Sequence, residues 1–232
     1  MSIVLGFVAL MAVIAFAWLS RQGLADKPWL ETGAVTRIPS PGGRPTGRVG
    51  LGVFLAVVGG LFALAGSAVV MRMGYADWFA LRMPGVVWLG TALLALASLC
   101  LQSALMAARR GDARASRAAF GAGALATLAF LAAQILAWLR LAETGQGLAA
   151  NPGASFFFLI SGLHGLHILG GLVALARVAG RLGHGAPPRR AVPGLELCAV
   201  YWHFLLLVWL AMLALLSGWA SDVAALCRAI LT

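Results

Sequence analysis

Residues 154–176 read ASFFFLISGLHGLHILGGLVALA, and residues 198–221 read CAVYWHFLLLVWLAMLALLSGWAS. Neither stretch contains Lys, Arg, Asp or Glu. At about 1.5 Å per residue, each is long enough to cross roughly 30 Å of hydrocarbon as a helix. Neither shows the period-2 alternation that a membrane β-barrel strand needs. Stretches of this kind are read as membrane helices, because a backbone in lipid must satisfy its own hydrogen bonds.

Working outward, the rest of the chain repeats the pattern. Uncharged apolar runs cover 3–19, 49–71, 83–108 and 118–139, each closed by a charged residue. Of the 232 residues, 62% are hydrophobic and only 10% are charged, and the mean hydropathy is +0.94. A soluble domain carries about 45–50% apolar and roughly 25% charged residues, so a soluble, disordered or disulfide-stapled chain is excluded. The expected fold is an all-α membrane protein with six transmembrane helices. The segment Trp29 to Arg48, with Pro39, Pro41 and Pro45, reads as a linker. The expected division is therefore an N-terminal anchor over 1–20, a cytoplasmic linker over 21–48, a five-helix core over 49–221 and a periplasmic tail over 222–232. Pro187, Pro188 and Pro193 read as breaks in the loop before the last span.

Seventeen basic against seven acidic residues give a net charge of +10. In a membrane protein this excess points to basic loops beside anionic headgroups rather than to nucleic acid. Arg21, Lys27, Arg37, Arg44, Arg48, Arg109, Arg110, Arg114, Arg117, Arg177, Arg181, Arg189 and Arg190 fall on one side of the expected spans. Arg72, Arg82, Arg140 and Arg228 fall on the other. The positive-inside rule then places both termini outside the cytoplasm. No Lys or Arg precedes the first span, so it reads as an uncleaved anchor rather than a signal peptide.

Small residues at Gly52, Ala56, Gly59, Ala63 and Gly66 recur at alternating spacings of four and three. They share one helical face and suit close helix packing in lipid. Polar residues within the spans are few: Gln102, Gln134, Ser161, His164, His167, Tyr201, Trp202 and His203, with Glu196 just before the last span. His164 and His167, three residues apart, share a face, and a His–His–Glu cluster with His203 and Glu196 is geometrically feasible. Three uses stay open from spacing alone: haem ligation by His164, His167 and His203, a proton or substrate path, and hydrogen bonds between helices. Cys100, Cys198 and Cys227 form no C-x-x-C pair, and no P-loop, H-E-x-x-H or G-x-S-x-G motif is present. No carboxylate pair lies inside a span, so no catalytic residue is expected on this chain.

The two opening stretches resemble subunit III of the haem–copper terminal oxidases of cytochrome c oxidase type. The resemblance rests on Phe156-Phe157-Phe158 followed by Gly162-Leu163-His164-Gly165-Leu166-His167, and on Glu196 followed by Tyr201-Trp202-His203-Phe204 and Trp209. The Ala107 to Asp112 turn and the Gln134–Trp138 pair are similar as well. The resemblance implies a five-helix core that binds no haem or copper of its own. Those cofactors would sit in partner subunits I and II, with cytochrome c as donor to the complex. It also implies packing on subunit I, bound phospholipid, support of proton uptake and a place in the bacterial inner membrane. His164, His167, Glu196, Tyr201, Trp202, His203 and Trp209 become candidates for lipid or subunit contact. Two family carboxylates are missing, near Val58 and at Leu206, which marks a divergent member. The other readings are an accessory subunit of a nitric oxide reductase, a haem-b membrane cytochrome, and a small transporter. The last would be expected to show broken helices or repeats.

Overall fold

The computed structural model describes residues 46–79, 81, 83–183 and 188–217. The first expected span, most of its linker, the tail and His184 lie outside the described residues. The described part is all-helical: α1 Thr46–Arg72, α2 Gly85–Arg110, α3 Ala113–Glu143, α4 Pro152–Gly183 and α5 Val192–Leu216, with a 3-10 turn Pro188–Ala191 before α5. These five helices are long and apolar enough to cross a membrane.

The helices begin and end where local chemistry dictates. Gly111 closes α2 in the left-handed region (φ 85°), where a side chain would be strained. Asp112 then caps α3, its carboxylate accepting from the Ala115 amide at 2.9 Å. Asn151 caps α4 in the same way through the Ala154 amide, with Pro152 in the first turn, where no amide donor is needed. Both caps let the helix start earlier than the apolar run. The charges bound the hydrocarbon crossing, whereas α3 continues past them to Arg114 and Arg117. Pro193, expected to break a loop, lies instead in the first turn of α5. That turn leaves its amides free in any case.

α2 and α3 form a long antiparallel hairpin. A Cβ on Gly123 would meet Leu101, Cys100 and the Ala97 carbonyl at 3.2–3.3 Å, so this hairpin closes on a glycine. α5 is the most buried helix and packs against α1, α2 and α4; α3 completes the bundle against α4. Side chains from all five helices share one core.

Candidate functional site: an indole-braced core and an apolar groove

The aromatic residues of α5 serve as braces between helices. Trp202 is fully buried and its Nε1–H donates to Thr127 Oγ1 on α3 at 3.0 Å. Two turns on, Trp209 Nε1–H donates to Thr91 Oγ1 on α2 at 2.9 Å. The Tyr201 hydroxyl donates to the His167 carbonyl on α4 at 2.8 Å. A fourth brace joins α3 to α4, Trp138 Nε1–H donating to Ser161 Oγ at 3.0 Å. An indole inside a bundle carries one donor that hydrocarbon cannot satisfy, so each buried Trp needs an acceptor on a neighbouring helix. Thr91 and Thr127 were not singled out from sequence. The usable signal was the need of each in-span indole for a hydroxyl or carbonyl nearby.

The three span histidines take three different environments and do not converge. His164 is buried, with ring centroids of Trp209, Phe130 and Phe62 at 5.1, 5.9 and 6.1 Å. Neither of its ring nitrogens has a hydrogen-bond partner among the described residues, and the same is true of the Gln134 amide nitrogen. His167 is half-buried, donates through Nδ1 to the Leu163 carbonyl at 2.8 Å, and packs on Phe62. His203 faces outward, its Nδ1–H on the Ala199 carbonyl at 2.5 Å. The feasible His–His–Glu cluster therefore does not form. The helical register turns His203 away from α4, and Glu196 is engaged at the helix end. Among the described residues, no three of His, Cys, Asp and Glu come together.

Glu196 ties three helix ends. Arg48 of α1 meets its Oε1 at 2.5 Å and Arg109 of α2 meets the same atom at 3.4 Å. Of the small-residue face on α1, Gly59 abuts Phe204, and Gly66 abuts Met212 and Leu215 on α5. Gly52 has open space around it and Ala56 faces outward. Beside that seam lies an apolar groove of about 490 Å³ between α1, α4 and α5. Gly50, Phe54, His167, Gly170, Leu197 and Tyr201 are among the residues that line it.

The chain matches the family model of cytochrome c oxidase subunit III over residues 82–221. The chain belongs to the cytochrome c oxidase subunit III family. Relatives include a probable cytochrome c oxidase subunit 3 of Mycobacterium tuberculosis, 32% identical over 53% of this chain and 60% of the relative. The cytochrome c oxidase subunit 3 of Corynebacterium diphtheriae is 30% identical over 66% of this chain and 76% of its own length. That of Thermostichus vulcanus is 28% identical over 72% and 85%. The chain thus spans about three fifths of the length of the mycobacterial relative.

Within this subunit III fold, the stretch Tyr201-Trp202-His203-Phe204 of the last helix divides its side chains by direction. Tyr201 points to α4, Trp202 into the core, His203 outward and Phe204 to α1. The two places where the resemblance leads one to expect a carboxylate hold apolar packing. Val58 is buried in the core and Leu206 is packed against it. A glycine also proves decisive. A Cβ on Gly171 would come within 2.7 Å of the Tyr201 ring and 2.8 Å of the Trp202 ring. The Tyr-Trp pair can lie on α4 only because that position has no side chain.

Proposed function

We propose that this chain is the non-catalytic, cofactor-free subunit III of a bacterial haem–copper terminal oxidase. In this reading it packs on subunit I, which with subunit II holds the haem and copper, and cytochrome c donates electrons to the complex. The complex reduces dioxygen to water. The chain's part is to hold lipid, support proton uptake and keep subunit I stable during turnover. It sits in the inner membrane with both termini periplasmic, a reading supported by the basic residues on one side of the spans. The observation that carries the reading is the family match over 82–221, the segment that supplies the Trp202 and Trp209 braces. The groove supports the lipid part. Its wall is apolar and its volume lies within the usual range of ligand sites. An acyl chain fits that wall.

The test starts from the chain purified from its own membranes in mild detergent. A reduced-minus-oxidised spectrum is recorded, and the subunits are then separated. The expected result is that haem follows a larger companion while this chain is colourless. Haem retained on this chain at a fixed ratio would overturn the reading and return His164, His167 and His203 to candidacy as ligands.

A further inference from the structure

Two buried polar side chains on α3 and α4 have hydrogen bonds still to make. Gln134 of α3 is 5% exposed and His164 of α4 is 1% exposed. The Gln134 amide nitrogen and both His164 ring nitrogens find no partner among the described residues. Whichever neutral tautomer the imidazole adopts, it carries one donor and one acceptor. Apolar neighbours meet neither, and a buried polar group left without a partner is costly.

The contacts on either side of Gln134 show what it faces. Phe130, one turn before it, meets the His164 ring at 5.9 Å. Trp138, one turn after it, donates to Ser161 Oγ at 3.0 Å. Gln134 therefore faces the stretch of α4 that holds Ser161 and His164, which lie three residues apart on one side of that helix. Ser161 Oγ donates to the Phe157 carbonyl at 2.6 Å and accepts from Trp138, so one of its lone pairs is still free. Packing is loose along this interface. α3 meets α4 far less extensively than it meets α2, and a Cβ on Gly165, beside His164, would find only Leu131 within 4 Å, at 3.9 Å. Unspent polar groups and loose packing are the two conditions that an internal water needs.

We infer that an internal water molecule bridges α3 and α4, accepting from Gln134 Nε2 and donating to the proton-free ring nitrogen of His164 and to Ser161 Oγ. Three hydrogen bonds are the usual complement of a buried water. The water links the Trp138–Ser161 brace to the aromatic cluster of His164, Phe130 and Trp209, so the two helices are joined by polar contacts over successive turns. This site is separate from the apolar groove and does not depend on the subunit III role.

The test uses the chain in its purified complex, equilibrated in water enriched in oxygen-18. A short X-ray pulse makes hydroxyl radicals from water in place, and mass spectrometry reads which side chains take up the heavy oxygen. Trp209, whose ring lies 5.1 Å from that of His164, and Phe130 are expected to be labelled although both are buried. Trp202, also buried and held by Thr127, is the control and is expected to stay unlabelled. His164→Leu and Gln134→Leu are each expected to lower the thermal midpoint and to reduce the labelling of Trp209 to that of Trp202. The double variant leaves neither polar group behind and is expected to recover part of the lost midpoint. Absence of label on Trp209 and Phe130 in the wild type overturns the water, and this outcome needs no variant to fold. Labelling that persists in both leucine variants also overturns it. Coupling between the two substitutions without any labelling would mean that Gln134 and His164 bond each other directly, and the water site falls.

Discussion

At Gly171 the packing of α4 on α5 is decided by the absence of a methyl group. A Cβ there would meet two rings that are each held by a hydrogen bond, Tyr201 to the His167 carbonyl and Trp202 to Thr127. Neither ring can retreat without breaking its brace. Gly171→Ala is therefore expected to destabilise the bundle by about 1–3 kcal/mol, the usual cost of overpacking. Gly170→Ala, with open space around it, should stay within about 0.5 kcal/mol. Reversible unfolding in mixed micelles separates the two, and equal effects would refute the steric argument. The Trp202–Thr127 brace is tested by Trp202→Phe, Thr127→Val and the double variant. A coupling of about 0.6 kcal/mol is expected, typical of membrane hydrogen bonds, and a coupling of zero would mean that packing alone holds the indole. The sequence made the tryptophans and histidines visible, because polar atoms in apolar runs stand out. Their partners were not visible. Thr91 and Thr127 are unremarkable in a helix until the fold brings an indole to them, and Gly171 is one glycine among twenty-nine.

The helices themselves were legible because the sequence punctuates them twice, with charges and with turn residues. The five described helices lie where the uncharged runs over 49–221 placed them; Asp112, Asn151 and the first-turn prolines carry three starts outward, and α4 runs on past its apolar stretch to Gly183. What the runs could not reveal is how a connection is held. The α1–α2 connection is a case in point. Arg72 grips Asp77, with one guanidinium nitrogen 2.7 Å from Asp77 Oδ1, and lies 4.7 Å from the Tyr75 ring centroid. The hydrogen bond from Arg72 holds the Asp77 carboxyl below the ordinary carboxylate range, against a smaller opposing effect of desolvation. A depressed carboxyl contributes its stability in full above the unfolded-state value, and loses it as pH falls through the folded-state value. The turn amides of Tyr75 and Trp78, which donate to the Arg72 and Tyr75 carbonyls, should thus lose exchange protection only in acid below the ordinary carboxylate range. Asp77→Asn should lower protection at neutral pH and abolish that acid step. Amide hydrogen exchange followed by mass spectrometry reads both outcomes. An acid step that survives in the Asn variant would assign the titration to another group.

For the whole molecule, the informative contrast is between the core and the groove beside it. The core is filled by rings, hydroxyls and small residues, with His164 among them. The groove between α1, α4 and α5 is open and apolar. A lipid bound there would contribute to stability by mass action, since it binds the folded bundle and not the unfolded chain. Gly170 offers a way to test this without disturbing the core, because it lines the groove and no atom lies within 4 Å of its missing side chain. Gly170→Trp should fill the groove with an indole. The purified complex is then expected to keep its subunits and haem but to carry less phospholipid per chain, measured by extraction and mass spectrometry. Added phospholipid should raise the thermal midpoint of the wild type and leave that of the variant unchanged. If the variant keeps its full lipid complement and its response to added lipid, the groove is not where lipid acts. The lipid would then have to be sought on another outward face, such as the exposed side of α3.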